Sequence, residues 1–462
     1  MRTPYVTIVL CCALACTQPV KEIPQWNVED PSEEPSLVPS EDPSEEPSAE
    51  PSDEPGLPPR DFPSTDLVQI SGCTADDCGI AVTYTLPVSA GADFGLYWTN
   101  GRVEYFQAGP QNADGNVYQL IPGALLDHES TWSVRVYLVQ DGEQRFSPAK
   151  EVRLKAAPEP FQLDWKRLTK GVLPESIQLY ETTSSVNGRN FHAWYAVADP
   201  TAVDIKVTVP SEALTIEDQS AADKKCIVMI NGGYFYNGRH TGLAVVEGKP
   251  TGAVPTVRGS LRSDHAEYNE MYTVTRGLFG VDASGQAAIY WAGSNAGHSW
   301  YFDRPLPSVL GENKYGPISA TFPTEARDWN PVYALSAGPV LLYGGQILVN
   351  FAETVKGGEY YRNNVEIMPY DIYGPGSVCD RTAVGILEDG RVVFFICDGR
   401  ITASPGLNLV ELAQVMQGIG CVDAVNFDGG GSTGMMVGTL HIGDQTAEKS
   451  RKVVSTLGFY RK

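Results

Sequence analysis

Apolar and polar residues alternate most regularly between residues 131 and 140. Trp132, Val134, Val136 and Leu138 share one side of the chain, and Ser133, Arg135 and Tyr137 the other. A period of two marks a half-buried strand. Shorter runs of similar character cover 79–86, 94–99, 102–107, 117–121 and 149–154, with turn residues between them. Strands at this spacing predict a β-sandwich over 66–156. Nothing in it has the look of a catalytic centre, so it reads as a spacer or accessory module.

From residue 160 onward the pattern changes. Wholly apolar runs end in Asn-Gly or Asp-Gly: CIVMI meets Asn231-Gly232, VVFFIC meets Asp398-Gly399, and AVNF meets Asp428-Gly429. Residues 382–387 and 391–397 flank Glu388-Asp389-Gly390, which predicts a hairpin. Leu409, Leu412, Ala413 and Met416 recur at helical spacing, with Asn408 and Glu411 placed as an N-terminal cap and a stop near Gly418. A strand at 422–427 follows. Strand, helix, strand implies a right-handed crossover if both strands share a sheet, with Asp398 and Asp428 at one carboxyl edge. Residues 278–291, around Asp282 to Gly285, read as another hairpin. The class is therefore α+β: a mixed-sheet domain over 160–462, preceded by a small all-β sandwich.

The stretch 422–437, VDAVNFDGGGSTGMMV, carries the sharpest chemical signal. An apolar run stops at Asp428 and passes into Gly429, Gly430 and Gly431, then Ser432. Residues without Cβ let a backbone approach a ligand closely, and such turns can aim N–H groups at an anion. A tight turn between core strands would use the same residues. A carboxylate ending a buried strand, however, is costly unless it has a partner or a task.

Charge and composition narrow the partners. The net charge of −22 argues against nucleic acid, whose phosphates call for Lys and Arg. Residues 17–65 hold 13 acids against Lys21 and Arg60, half of that net charge in one Pro/Ser/acid repeat. Proline and like-charge repulsion stretch such a segment to ~3.1 Å per residue, a stalk on the order of 100 Å. Ahead of it, residues 1–16 have Arg2, an apolar run over 5–15 and Cys16, which reads as a lipoprotein-type export signal with Cys16 lipidated. An ordinary cleaved signal is the alternative. The expected location is the bacterial cell envelope, with the membrane as partner through that anchor. Beyond Cys16 six cysteines remain; Cys73 and Cys78 in CTADDC are close enough to staple a loop or to stay as thiols.

INGGYF at 230–235, SAGPVLLYGGQ at 336–346, RTAVGILEDGRVVFFICDGR at 381–400, GLNLVELAQVMQGIGCVDAVNFDGGGST at 406–433 and SRKVV at 450–454 occur in this order. In these motifs the chain, over roughly 165–462, resembles the phosphodiester glycosidase family. Its members include an enzyme that removes N-acetylglucosamine from phosphate on glycans, and bacterial proteins tied to exopolysaccharides. Tyr234, Lys452 and Ser455 stand where the family more often has phenylalanine, proline and asparagine. Residues 131–154 resemble the final hairpin of fibronectin type III modules.

The resemblance implies hydrolysis of a sugar-1-phosphodiester, the carbohydrate phosphodiester being the partner. A phosphodiester needs a cationic clamp, for which Arg381, Arg400 and Arg451 stand in matching motifs. Cleavage of a glycosidic bond passes through an oxocarbenium-like state usually served by two carboxyl groups. Asp428 and Asp398 are the first choices and Glu411 the third, although its cap explains it well. Asn231, Gly232, Gly233, Tyr234, Thr382 and the Gly429 to Ser432 turn complete the expected substrate-binding set. No histidine stands beside a nucleophile in the sequence and Gly-x-Ser-x-Gly is absent, which disfavours a Ser-His-Asp hydrolase. No His or carboxylate cluster has metal-ligand spacing, so neither metal nor cofactor is expected. The competing reading is a non-catalytic glycan-binding surface lipoprotein that keeps the pocket without turnover.

Overall fold

The computed structural model describes residues 57–58, 60–76, 79–87, 93–109, 115–122, 126, 130–154, 158–169, 173–258, 260, 262–264, 268, 271–306, 317–349, 353–356, 359–362, 366, 376–443 and 451–462. The expected signal, Cys16, most of the expected stalk and Cys78 lie outside them. No described helix is long and apolar enough to cross a membrane.

The first unit is a two-sheet sandwich. Gln69–Asp76, Gly79–Thr85 and Asn116–Pro122 form one sheet. Glu104–Ala108, Phe94–Thr99, Thr131–Gln140 and Glu143–Phe146 form the other, with Lys150–Arg153 also paired to Thr131–Gln140. The alternation does its expected work, for Trp132, Val134, Val136 and Leu138 pack with Ile80, Val82, Tyr84, Leu96 and Trp98 in one core. Gln69–Asp76 and Glu143–Phe146 were not anticipated, the former lacking a regular alternation and the latter being short. Tyr137, on the other face, is also buried, against Tyr97 and Phe146 with Phe62 beside them. Phe62 belongs to a segment whose Ser64 bridges Phe146.

The second unit is built on an eight-stranded sheet in the order Gln346–Ile347, Val340–Tyr343, Cys421–Asn426, Arg381–Leu387, Val392–Cys397, Ala193–Ala198, Ile177–Thr182 and Lys166–Leu168. Cys421–Asn426 and Val392–Cys397 both pair antiparallel with Arg381–Leu387, so they run in the same direction, one strand apart. The expected crossover is present in this split form, with helix Leu409–Ile419 connecting the two. The capping box is complete: Asn408 Oδ1 accepts from Glu411 N at 2.9 Å, and Glu411 Oε2 accepts from Asn408 N at 3.0 Å. The stop falls at Gly420, φ 100°, rather than at Gly418, because Gly420 takes the left-handed cap.

Each face of this sheet is covered differently. Leu412, Ala413 and Met416 of the helix bury one face against Ala383, Val393, Phe395 and Ala424. Val384, Phe394, Ile396 and Val425 point the other way, into a core shared with a five-stranded sheet, which contains Thr456–Tyr460 and Cys226–Asn231, and a six-stranded sheet, which contains Arg276–Asp282 and Ala287–Asn295. Phe394 and Phe459 stack at 3.8 Å across that core. Burial on both faces explains why these strands are wholly apolar instead of alternating. At their ends stand Asn231, Asp398 and Asp428, the first two buried.

Candidate active site

Arg381–Leu387 is the middle strand of the site. Asp398 follows one neighbour and Asp428 the other, so their strands lie about 9.5 Å apart. The Gly429 to Ser432 turn crosses the start of this middle strand. Gly430 N donates to Asp380 O at 2.9 Å. A Cβ on Gly429 would sit 2.6 Å from the same oxygen, and Gly430 has a φ of 61°, so the crossing depends on residues without side chains.

Asn231 secures the turn from below. It is fully buried; its Nδ2 donates to Asp428 O at 2.6 Å, and its Oδ1 accepts from Thr382 Oγ1 at 2.7 Å and Gly434 N at 3.3 Å. Asp428 N donates to Gly232 O at 3.1 Å. Gly232 N and Gly233 N are taken by Ser455 O at 2.9 Å and Ser455 Oγ at 3.2 Å. Tyr234 donates its hydroxyl to Gly338 O at 2.6 Å and accepts from Asn426 Nδ2 at 2.9 Å. The NGGY segment and Thr382 are thus brought to the site, as framework that fixes the Asp428 backbone.

The expected amide cradle is largely closed. Besides Gly430 N, Ser432 N donates to Gly429 O at 3.3 Å and Thr433 N to Gly430 O at 3.1 Å. Guanidinium groups stand around the turn instead. Both terminal nitrogens of Arg400 lie 3.6 Å from where a Gly430 Cβ would be, and Arg451 Nη1 lies 3.3 Å from the equivalent point on Gly431. Arg400 Nε binds Asp380 Oδ2 at 2.7 Å, its side chain remaining 56% exposed. Arg451 lies over the Phe235 ring, 5.4 Å from its centre. This pair has the charge and exposure to meet a phosphodiester.

Two expectations are corrected. Arg381 is buried and turned inward, its Nε donating to Leu407 O at 2.9 Å and an Nη to Ser377 O, so it organises loops rather than clamping phosphate. Glu411 is buried in its capping box, and its Oε1 accepts from Asn187 Nδ2 at 2.8 Å and Arg189 Nη2 at 2.5 Å. Both its oxygens are spent on structure, which removes it as a catalytic candidate.

Burial pushes the Asp428 carboxyl above its ordinary range, against the opposing pull of the Ser432 hydroxyl, Arg451 and the Gly429 N–H. Ser432 Oγ is itself buried, beside this carboxyl. Asp380, missed by the sequence reading, is likewise raised by burial, partly offset by Arg400. Asp398 is buried, and its surroundings were also missed. His192 Nδ1 lies 3.3 Å from Asp398 Oδ2, while its Nε2 is 2.8 Å from Glu181 Oε1. A histidine therefore does stand beside a candidate carboxylate. It comes from a distant strand edge, and only the register of Ala193–Ala198 with Val392–Cys397 joins them. No group of three or more His, Cys, Asp or Glu among the described residues is placed to hold a metal ion.

The model of the phosphodiester glycosidase family matches residues 224–460. The chain is 34% identical to the mouse N-acetylglucosamine-1-phosphodiester alpha-N-acetylglucosaminidase over 113 residues, covering 24% of this chain and 21% of that protein. The human enzyme of the same name matches at 33% over 113 residues, with the same coverage. The chain thus spans about a fifth of the length of the curated relatives it matches. Among solved structures it is similar to the catalytic domain of the zebrafish enzyme of that name, at 17% identity and a TM-score of 0.42, covering 65% of this chain and 89% of that one.

Proposed function

Because this chain belongs to the phosphodiester glycosidase family, we propose that it hydrolyses a sugar-1-phosphodiester of the N-acetylglucosamine-1-phospho type. The observation that carries the reading is the single sheet edge where Asp398 and Asp428 flank the middle strand, with Arg400 and Arg451 around the glycine turn. The guanidinium groups hold the phosphodiester and place the anomeric carbon between the carboxyl groups. The C1–O bond breaks, water supplies hydroxyl to C1, and its remaining proton ends on the phosphomonoester or in solvent. Asp428, whose burial favours the protonated form, holds a proton near the leaving oxygen. Phosphate is a good leaving group, so that proton assists rather than drives departure.

The proposal extends to setting: an exported envelope protein anchored through Cys16, with the acidic stalk carrying the folded units away from the membrane toward surface or environmental glycans. Mass spectrometry of the mature N-terminus tests it; an unmodified chain, or one cut elsewhere, rejects the anchor. Activity is tested by incubating the protein with N-acetylglucosamine-1-phosphodiesters, including a nucleotide sugar, and following free sugar beside Asp428→Asn. Release by the native protein and none by the variant supports the enzyme. Saturable sugar binding without release by either form supports a glycan-binding role.

A further inference from the structure

We propose that His192 is a positioning residue for the reaction, clamped between Asp398 and Glu181 so that it holds the Asp398 side chain in one orientation. This rests on the glycosidase reading above, in which Asp398 touches substrate. The clamp is made at several points. Backbone fixes the pair first: Asp398 N donates to His192 O at 3.1 Å, His192 N to Ser404 Oγ at 3.2 Å, and Ser404 Oγ to Asp398 O at 2.8 Å. The ring is then held edgewise by the two carboxylates, and it packs at 3.9 Å against the Trp194 ring, whose Nε1 donates to the same Glu181 oxygen at 3.1 Å.

The charged surroundings of His192 are acidic. Glu181 on Ile177–Thr182 faces one nitrogen and Asp398 the other, with Asp380 beyond Asp398; of the cations, Lys166 stands cross-strand from Glu181 and Arg400 is bonded to Asp380. Burial pulls the imidazole down, but its bonds to Asp398 and Glu181 prevail and lift it to about 9. Glu181 is correspondingly lowered, first by its bond from His192. An imidazolium there divides the two carboxyl groups by environment. Asp398 faces a fixed positive charge, whereas Asp428 is raised by burial and suits the proton-holding role.

A purely structural ion pair would alter stability and leave the pH profile alone. The test therefore compares kcat and KM against pH for the full chain and for His192→Asn and His192→Gln. The native enzyme is expected to lose kcat as pH rises through about 9, where His192 gives up its proton. Both variants should lack that alkaline limb and lose kcat roughly ten- to hundredfold near neutral pH, with KM little changed. Variants that keep native kcat and the alkaline limb while melting earlier would overturn the proposal. If the native protein turns over no phosphodiester, the functional reading has failed, and an NMR titration of the His192 ring decides the clamp separately. A midpoint near 9 that falls in Asp398→Asn upholds it; an ordinary midpoint of ~6.5 rejects it.

Discussion

Asp398 and Asp428 terminate strands that run the same way on either side of one neighbour, yet their environments differ sharply. Asp398 is enclosed: its backbone is tied to His192 and Ser404, and its carboxylate faces an imidazole held in turn by Glu181. Asp428 stands at the foot of a glycine turn ringed by exposed Arg400 and Arg451, its backbone held by Asn231 and Gly232. One carboxyl is paired with a buried imidazole, and the other is raised by burial beside the Ser432 hydroxyl and Arg451. Equivalent positions in a sheet acquire separate environments through what the adjoining loops bring to them.

The largest effect should come from the open side. Asp428→Asn is expected to lower kcat roughly 10²–10⁴-fold with little loss of stability, measured by free-sugar release and thermal unfolding. A variant within threefold of native kcat would erase the distinction between the two carboxylates. Arg400→Ala and Arg451→Ala should each raise KM about tenfold or more, as befits a charge-assisted hydrogen bond of ~1.5–3 kcal/mol. Lysine at either site should recover part of the loss, and high salt should narrow the gap between native and variant. If Arg400→Ala melts early and binds normally, its bond to Asp380 is structural and the clamp is Arg451 alone.

Smaller effects belong to the framework. Asn231→Ala removes the partner of Gly434 N and Asp428 O and the shorter of the two Thr382 hydroxyl bonds, and should cost roughly 2–3 kcal/mol of stability, read by denaturant unfolding. A stability loss below ~0.5 kcal/mol would mean the peptide of Asp428 is held by other means. A framework effect of another kind is acid sensitivity at His240, whose buried imidazole is pushed down to about 4 by burial against a weaker pull from the Leu243 backbone. The folded state holds this ring neutral while the unfolded chain protonates it near pH 6.5. Stability therefore falls as pH drops from ~6.5 toward 4, and His240→Phe should remove part of that slope. His192 has the opposite sign, its contribution being complete below ~6.5 and lost as pH rises through about 9.

The sandwich core, the helix with its Asn408 and Glu411 cap, the hairpin around Gly390 and the shared edge of Asp398 and Asp428 were all legible in the sequence. Each depends on period, turn chemistry or strand direction, which are properties of neighbouring residues. Arg381, Glu411, His192 and Asp380 were misjudged or missed for the converse reason. Whether a charged side chain faces solvent or satisfies a buried carbonyl depends on which distant segment lies against it. Leu407 and Ser377 turned Arg381 inward, and the loop bearing Asn187 and Arg189 occupied Glu411. Sheet register across long separations brought His192 to Asp398. The sequence alone determined the elements and the kind of chemistry at their ends; tertiary packing decided which charges remain available for it, because desolvation and pairing act through space.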